Sequence, residues 1–268
     1  MKQLFILLTC LIPTISWAQQ TDSLTFDTTY FMQKEKQVEW LCVYDKVAWK
    51  TSDNVMKQKK SEIDRLGKEW FCFEDSSGTW HAVYGKYKNK TYDMVFHYVL
   101  DKKYNLKRVK NKPDTALLNC YARALVTATY QFDKIENEQN IRFNQYVKQN
   151  EDKTFTVWFL PAFQRDGSAV YGGEYIYQID SLGKSVLQSH DYFQGQYKYL
   201  KVGKPREVTI HYKDVEKPTL GALFFVWYYK EYFTQINIAC AEMTSTAISD
   251  DKKNYTWLHT FKDKNKEK

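Results

Sequence analysis

Residues 207–233, EVTIHYKDVEKPTLGALFFVWYYKEYF, constrain the fold more than any other stretch. Val208, Ile210 and Tyr212 alternate with polar neighbours, the period of a half-buried strand, and His211 falls near its end. A charged connection leads to Pro218-Thr219, and an unbroken apolar and aromatic run follows over residues 220–229. Period alone cannot assign a continuous apolar run, but its length and the N-cap offered by Thr219 favour a helix. Such a run needs cover on several sides, which places it at the centre of the C-terminal half.

The segments around it read mainly as strands. Residues 154–163 (TFTVWFLPAF), 169–179 (AVYGGEYIYQI) and 185–193 (SVLQSHDYF) precede it, with turns at 165–167 and 180–183. Gly172-Gly173 inside the second of these marks a bulge or a close backbone approach. Residues 235–241 and 255–261 follow as strands. Pro113-Asp114 opens the clearest helix: Leu117, Leu118, Tyr121, Leu125, Ala128, Phe132 and Ile135 recur at spacings of three and four. It ends near Asn137, with residues 141–147 either extending it or forming another turn.

In the N-terminal half, residues 19–36 read as an exposed leader adding an edge strand, and residues 38–44 (VEWLCVY) as the first good strand. Residues 52–66 have helix character, with Gly67 at a C′ position. An antiparallel meander then runs over 69–74, 79–87 and 91–100. Counting from its turn, His81 and His97 face each other across one strand pair. They read as ordinary half-buried strand histidines, since no acid or thiol lies at ligand spacing. The basic residues 104–112 form a turn and a boundary. The fold class is therefore α+β: an N-terminal antiparallel meander with one helix, then a helix followed by a mixed, strand-rich α/β unit. The domain reading is 1–18 signal peptide, 19–36 leader, 37–112 meander unit, 113–262 mixed unit and 263–268 frayed tail.

Residues 1–18 have the pattern of a secretory leader: Lys2, an apolar core over 4–15, and Ser16-Trp17-Ala18 before Gln19. They imply an exported protein, periplasmic or at the cell surface. No later segment is long and apolar enough for a transmembrane helix. The chain is 43% hydrophobic and 17% aromatic, a composition that excludes disorder. Its formal charge is +7, with lysine scattered as on solvated turns and strand edges. A patch for an anionic surface or glycan is the sharper reading, and no nucleic-acid motif accompanies the charge. Cys42, Cys72, Cys120 and Cys240 sit among apolar residues, either as buried thiols or in one of three full disulfide pairings.

The order of elements and the segment HYKDVEKPTLGA resemble the JAMM (MPN) zinc metallopeptidases, whose motif is an upstream Glu, His-x-His-Pro at a strand end, and Ser-x-x-Asp opening a helix. The resemblance aligns His211 with the first His, Lys213 with the second and Asp214 with the Pro. Thr219 stands at the Ser, Ala222 at the Asp, and Glu174 at the general base. In that family two His and an Asp hold zinc and the Glu activates its water. One metal ligand of three remains here, so the resemblance implies a scaffold that keeps the shape without the hydrolytic site. A JAMM-like zinc peptidase with unusual ligands is the enzyme alternative. Nucleophile-elbow, HExxH and Walker A patterns do not occur. Ser189-His190-Asp191 cannot form a triad, because adjacent strand residues point to opposite faces. His190 can still approach His211 across strands. Tyrosines 171, 175, 177, 192, 197, 199, 228, 229 and 232 crowd the second half, for sheet packing or for a surface that stacks sugars or holds a protein. The expected function is a non-catalytic binding or interaction protein with a protein or glycan partner and no cofactor. A polysaccharide-binding module is a further alternative. The candidate binding residues are His211, His190, Glu174, Lys213 and Tyr212.

Overall fold

A computed structural model describes residues 26–111, 113–249 and 255–262 of the chain. The expected signal peptide and the frayed tail lie outside the described residues. Among the described residues four helices and fourteen strands form an α+β, strand-rich fold. The strands make two four-stranded antiparallel sheets, one four-stranded mixed sheet and a two-stranded ribbon.

The N-terminal region departs most from expectation. Residues 28–44 hold neither a leader strand nor a first β-strand. They belong to a 28-residue helix, α1 (Thr28–Val55), whose N-cap Asp27 accepts the Tyr30 N–H at 2.9 Å. Phe31, Val38, Leu41, Tyr44, Val47, Ala48, Thr51 and Val55 are its buried face, at helical spacings. The strand reading failed because Trp40, Cys42 and Val43 flank this face and are themselves half-buried. That width hides the 3.6-residue period within a seven-residue window. The helix expected at 52–66 is the end of α1 plus one short turn, α2 (Lys60–Ile63).

The meander forms as expected: β1 (Trp70–Glu74), β2 (Trp80–Lys88) and β3 (Thr91–Leu100), joined by a short β4 (Leu106–Arg108) within the basic segment. Helix α3 (Thr115–Phe132) is capped by Asp114, which accepts the Ala116 N–H at 2.9 Å. It packs against both the meander and a second antiparallel sheet. Its Tyr121 stacks on Phe71 at 5.0 Å, and Leu118, Leu125 and Ala128 share a core with Val147, Val157 and Tyr177. That sheet contains β5 (Phe143–Gln149), β6 (Phe155–Pro161), β8 (Tyr175–Ile179) and β9 (Val186–Asp191). Residues 143–149 are thus strand, not an extension of the helix.

The strand expected over 169–179 breaks at its glycines into β7 (Ser168–Tyr171) and β8, which belong to different sheets. Gly172 has φ +99, and a Cβ there would meet Gln196 O at 2.7 Å, so the close backbone approach is real. The ribbon partner of β7 is β10 (Lys198–Lys201). The opening stretch forms a parallel unit, β11 (Arg206–Tyr212), α4 (Leu220–Tyr228) and β12 (Phe233–Cys240), to which β13 (Met243–Ser249) and β14 (Tyr255–Phe261) add antiparallel. Helix α4 is buried along most of its length against α1 and this sheet, as its composition demands.

Candidate functional site

Glu174 sits in the corner between β7 and β8, at 0% exposure. Its carboxyl lies on the first turn of α4. A Cβ on Gly221 would come within 2.7 Å of Oε2, so glycine leaves the room that the carboxyl fills. Thr219 Oγ1 already accepts the Ala222 N–H at 3.1 Å. Neither carboxyl oxygen reaches hydrogen-bonding geometry with a partner. Burial pushes the Glu174 carboxyl above its ordinary pKa, against the Thr219 hydroxyl, the Gly221 N–H and the Lys34 ammonium nearby. Lys34 is tied there by donating to Pro218 O at 3.0 Å.

The other sequence candidates do not gather round it. Tyr212 is buried on the Glu174 side of β11, and its phenol is pushed far up by burial and by that carboxyl. His211, one residue earlier, projects from the opposite, open face of the sheet and is exposed. Partial burial and then Lys198, Lys213 and Lys262 lower its pKa. Lys213 is exposed just past the strand end. His190 is exposed on β9, stacked on Tyr192 at 6.1 Å. Ala222, aligned with the metal-binding Asp of the JAMM motif, is fully buried in α4. Among the described residues no group of three or more His, Cys, Asp or Glu is placed to hold a metal ion. No helix there is long and apolar enough to cross a membrane.

His81 and His97 do meet: His81 Nδ1 lies 2.9 Å from His97 Nε2. The acid missing from the sequence reading is Asp75 in the β1–β2 turn, whose Oδ2 is 3.1 Å from His81 Nε2. At the other end His97 Nδ1 donates to Asn111 O at 2.7 Å. Both ends of this chain are acceptors, so its three contacts need three N–H groups, while two neutral imidazoles supply one each. Burial pushes the Asp75 carboxyl up. Hydrogen bonds from Ser77, His81 and the Thr79 and Ser77 amides outweigh it and hold the group well below the usual range. His97 is lowered by burial, opposed by its bond to Asn111. This is a local polar clasp for the turn.

A second candidate lies elsewhere. A cleft of about 970 Å³ opens between α1, the C-terminal end of α4 and the end of the β5–β6 hairpin. Trp49, Trp70, Phe163, Tyr228 and Tyr232 supply much of its wall, and Trp49 is 72% exposed. Phe163 and Tyr232 stack within 5° of parallel. Asp45 lines it, accepting from Tyr146 Oη at 3.0 Å and Asn144 Nδ2 at 3.1 Å. Burial raises the Asp45 carboxyl, against hydrogen bonds from Tyr146, Tyr228 and Asn144. One turn earlier on α1, burial and then Asp45 push the Cys42 thiol up to about 12, so it stays protonated and unreactive at neutral pH. All four described cysteines are free thiols.

None of the five residues singled out from the sequence lines this cleft. Its wall comes from six separate stretches of chain, between residues 42 and 232, a convergence that no local pattern encodes. The crowding of tyrosine was the one visible signal, through Tyr228, Tyr229 and Tyr232. No family model, no curated protein and no solved structure matches the chain.

Proposed function

We propose that this chain is an exported, non-catalytic binding protein whose ligand, a glycan, seats in the cleft between α1 and α4. The observation that carries the reading is the wall itself: indole and phenol rings around an open hollow of about 970 Å³, with Trp49 left 72% exposed. A large apolar ring kept in water on a folded surface has lost hydrophobic stabilisation that a ligand can restore. Rings of this kind, interrupted by a few polar groups such as Asp45 and Asn144, are the usual make-up of a ligand site. Indole and phenol faces suit the C–H faces of sugar rings, and the polar groups suit their hydroxyls. The leader pattern of residues 1–18 supports export. Titration with a panel of oligosaccharides, followed by intrinsic tryptophan fluorescence, tests the reading. Trp49→Ala is expected to weaken the best ligand about tenfold while leaving the melting temperature unchanged. A panel in which no saccharide perturbs the fluorescence, or binds in a manner sensitive to Trp49, removes it.

A further inference from the structure

We infer that the cleft selects a polyanionic saccharide, one bearing uronate or sulfate groups, and that Arg142 and Arg165 read its acid groups. The inference rests on the binding role proposed above and adds the ligand's charge.

Both arginines are held by the same piece of backbone. The β5–β6 pairing begins at Phe143 opposite Pro161, and just outside it the Ala162 N–H donates to Arg142 O at 2.8 Å. The buried amide of Gln164 locks this end. Its Oε1 accepts from Arg142 N at 3.1 Å, and its Nε2 donates to Arg142 O at 3.2 Å and to Ala162 O. A turn closed by the Gly167 N–H on Gln164 O, at 3.1 Å, then presents Arg165. The two guanidinium stems thus leave a braced platform, and both line the main cleft and a smaller adjoining hollow of about 280 Å³.

Among the described residues neither guanidinium has a hydrogen-bonding or ion-pair partner on the protein. The acid beside them, Asp166, is engaged by Lys201 and Ser168. Lys46 and Lys230 carry positive charge further along the wall. Against these four cations stand Asp45, whose oxygen is occupied by Tyr146 and Asn144, and Glu231. The cleft therefore presents a positive field with unused planar donors, the geometry that pairs bidentately with carboxylate or sulfate.

Ring faces and guanidinium forks occur together here, so the ligand must offer stackable faces and fixed negative charge at once. A uronate or sulfated sugar does this in every unit. An acidic peptide supplies charge without the flat C–H faces. Single-stranded nucleic acid supplies both, but it is bound along extended grooves. The volume of about 970 Å³ matches a short oligosaccharide better than an extended strand.

The test is calorimetric titration of full-length mature protein with oligogalacturonate, chondroitin sulfate oligosaccharide, neutral xylo-oligosaccharide, oligoglutamate and oligothymidylate, at low and high salt. The expected result is binding of a charged oligosaccharide that weakens with salt and falls by about tenfold or more in Arg142→Gln/Arg165→Gln. A Lys86→Gln/Lys88→Gln/Lys90→Gln variant, altered at the β2–β3 turn outside the cleft, is expected to bind as the parent does. Equal binding of neutral and charged sugars, with no effect of the arginine substitutions, overturns the inference and leaves the cleft reading standing. Oligoglutamate or oligothymidylate binding as tightly as the charged sugars, or an equal loss in the lysine variant, overturns the saccharide assignment. Absence of any saccharide binding that depends on Trp49 overturns both.

Discussion

A carboxylate enclosed at 0% exposure without a hydrogen-bond partner costs free energy whenever it is charged, and Glu174 is in that position. Burial is the largest influence on it and raises its pKa. The folded state therefore holds the Glu174 proton more tightly than the unfolded chain does. The stability tied to that proton is fully present below the unfolded glutamate value of about 4.3 and is lost as pH rises through the folded value. Glu174→Gln mimics the neutral form at every pH. It is expected to leave stability unchanged near pH 4 and to raise it by about 1–3 kcal/mol at pH 8, read from urea midpoints at the two pH values. A loss at pH 8 would mean that the α4 N-terminus and Lys34 hold the charged form after all. The glycines before Glu174 made it conspicuous in the sequence. Its enclosure was not visible there, because the corner that buries it joins β7 and β8 to a helix 46 positions downstream. His81 and His97 were legible for the opposite reason: hairpin register follows from counting residues. Asp75 escaped notice because it reaches the pair from the turn, outside the strand pattern.

Helix α4 trades local preference for this contact. Glycine at its second residue is the poorest ordinary helix former, by about 1 kcal/mol against alanine. The gain from alanine is blocked by Glu174, whose Oε2, Cβ and Cδ all lie within 3.0 Å of a Cβ built at Gly221. Gly221→Ala is therefore expected to destabilise the parent by about 1–3 kcal/mol through overpacking. In a Glu174→Ala background the same change is expected to be neutral or to stabilise by up to about 1 kcal/mol. A double-mutant cycle in urea measures the coupling, and additivity of the two changes would remove the steric account. Element identity was readable wherever one period dominated. The one-sided stripe of α3, the alternation of β11 and the turn-bounded strands of the meander all form as their patterns require. Helix α1 was not readable, because it is apolar on more than one side where it meets both the meander and α4. β13 (MTSTAIS) went unassigned for want of large apolar residues; its Thr and Ser face an open polar surface or, like Ser245, a histidine at 2.9 Å.

At the scale of the molecule, α1 decides how the parts cooperate. Tyr44 on α1 accepts the Cys72 N–H of the meander at 3.0 Å. Glu35 accepts from Trp257 Nε1 of β14 at 2.6 Å, and Lys34 reaches the carbonyl that precedes α4. One apolar core holds Leu41 and Tyr44 together with Phe96 of the meander, Trp158 of β6, Phe225 of α4 and Ile238 of β12. Chains of 268 residues are long enough to unfold in stages, so a shared core has a measurable consequence. Loosening α1 must loosen the meander, β6, α4 and the mixed sheet together, since each contributes side chains to the core that α1 fills. Thermal unfolding is expected to give one transition, with the same midpoint by far-ultraviolet circular dichroism, which follows backbone, and near-ultraviolet circular dichroism, which follows aromatic packing. Leu41→Ala, at 0% exposure, is expected to cost about 2–5 kcal/mol and to move both curves together. Separate midpoints, or a Leu41→Ala shift confined to one signal, would show that the meander and the mixed sheet stand independently and that α1 merely lies between them.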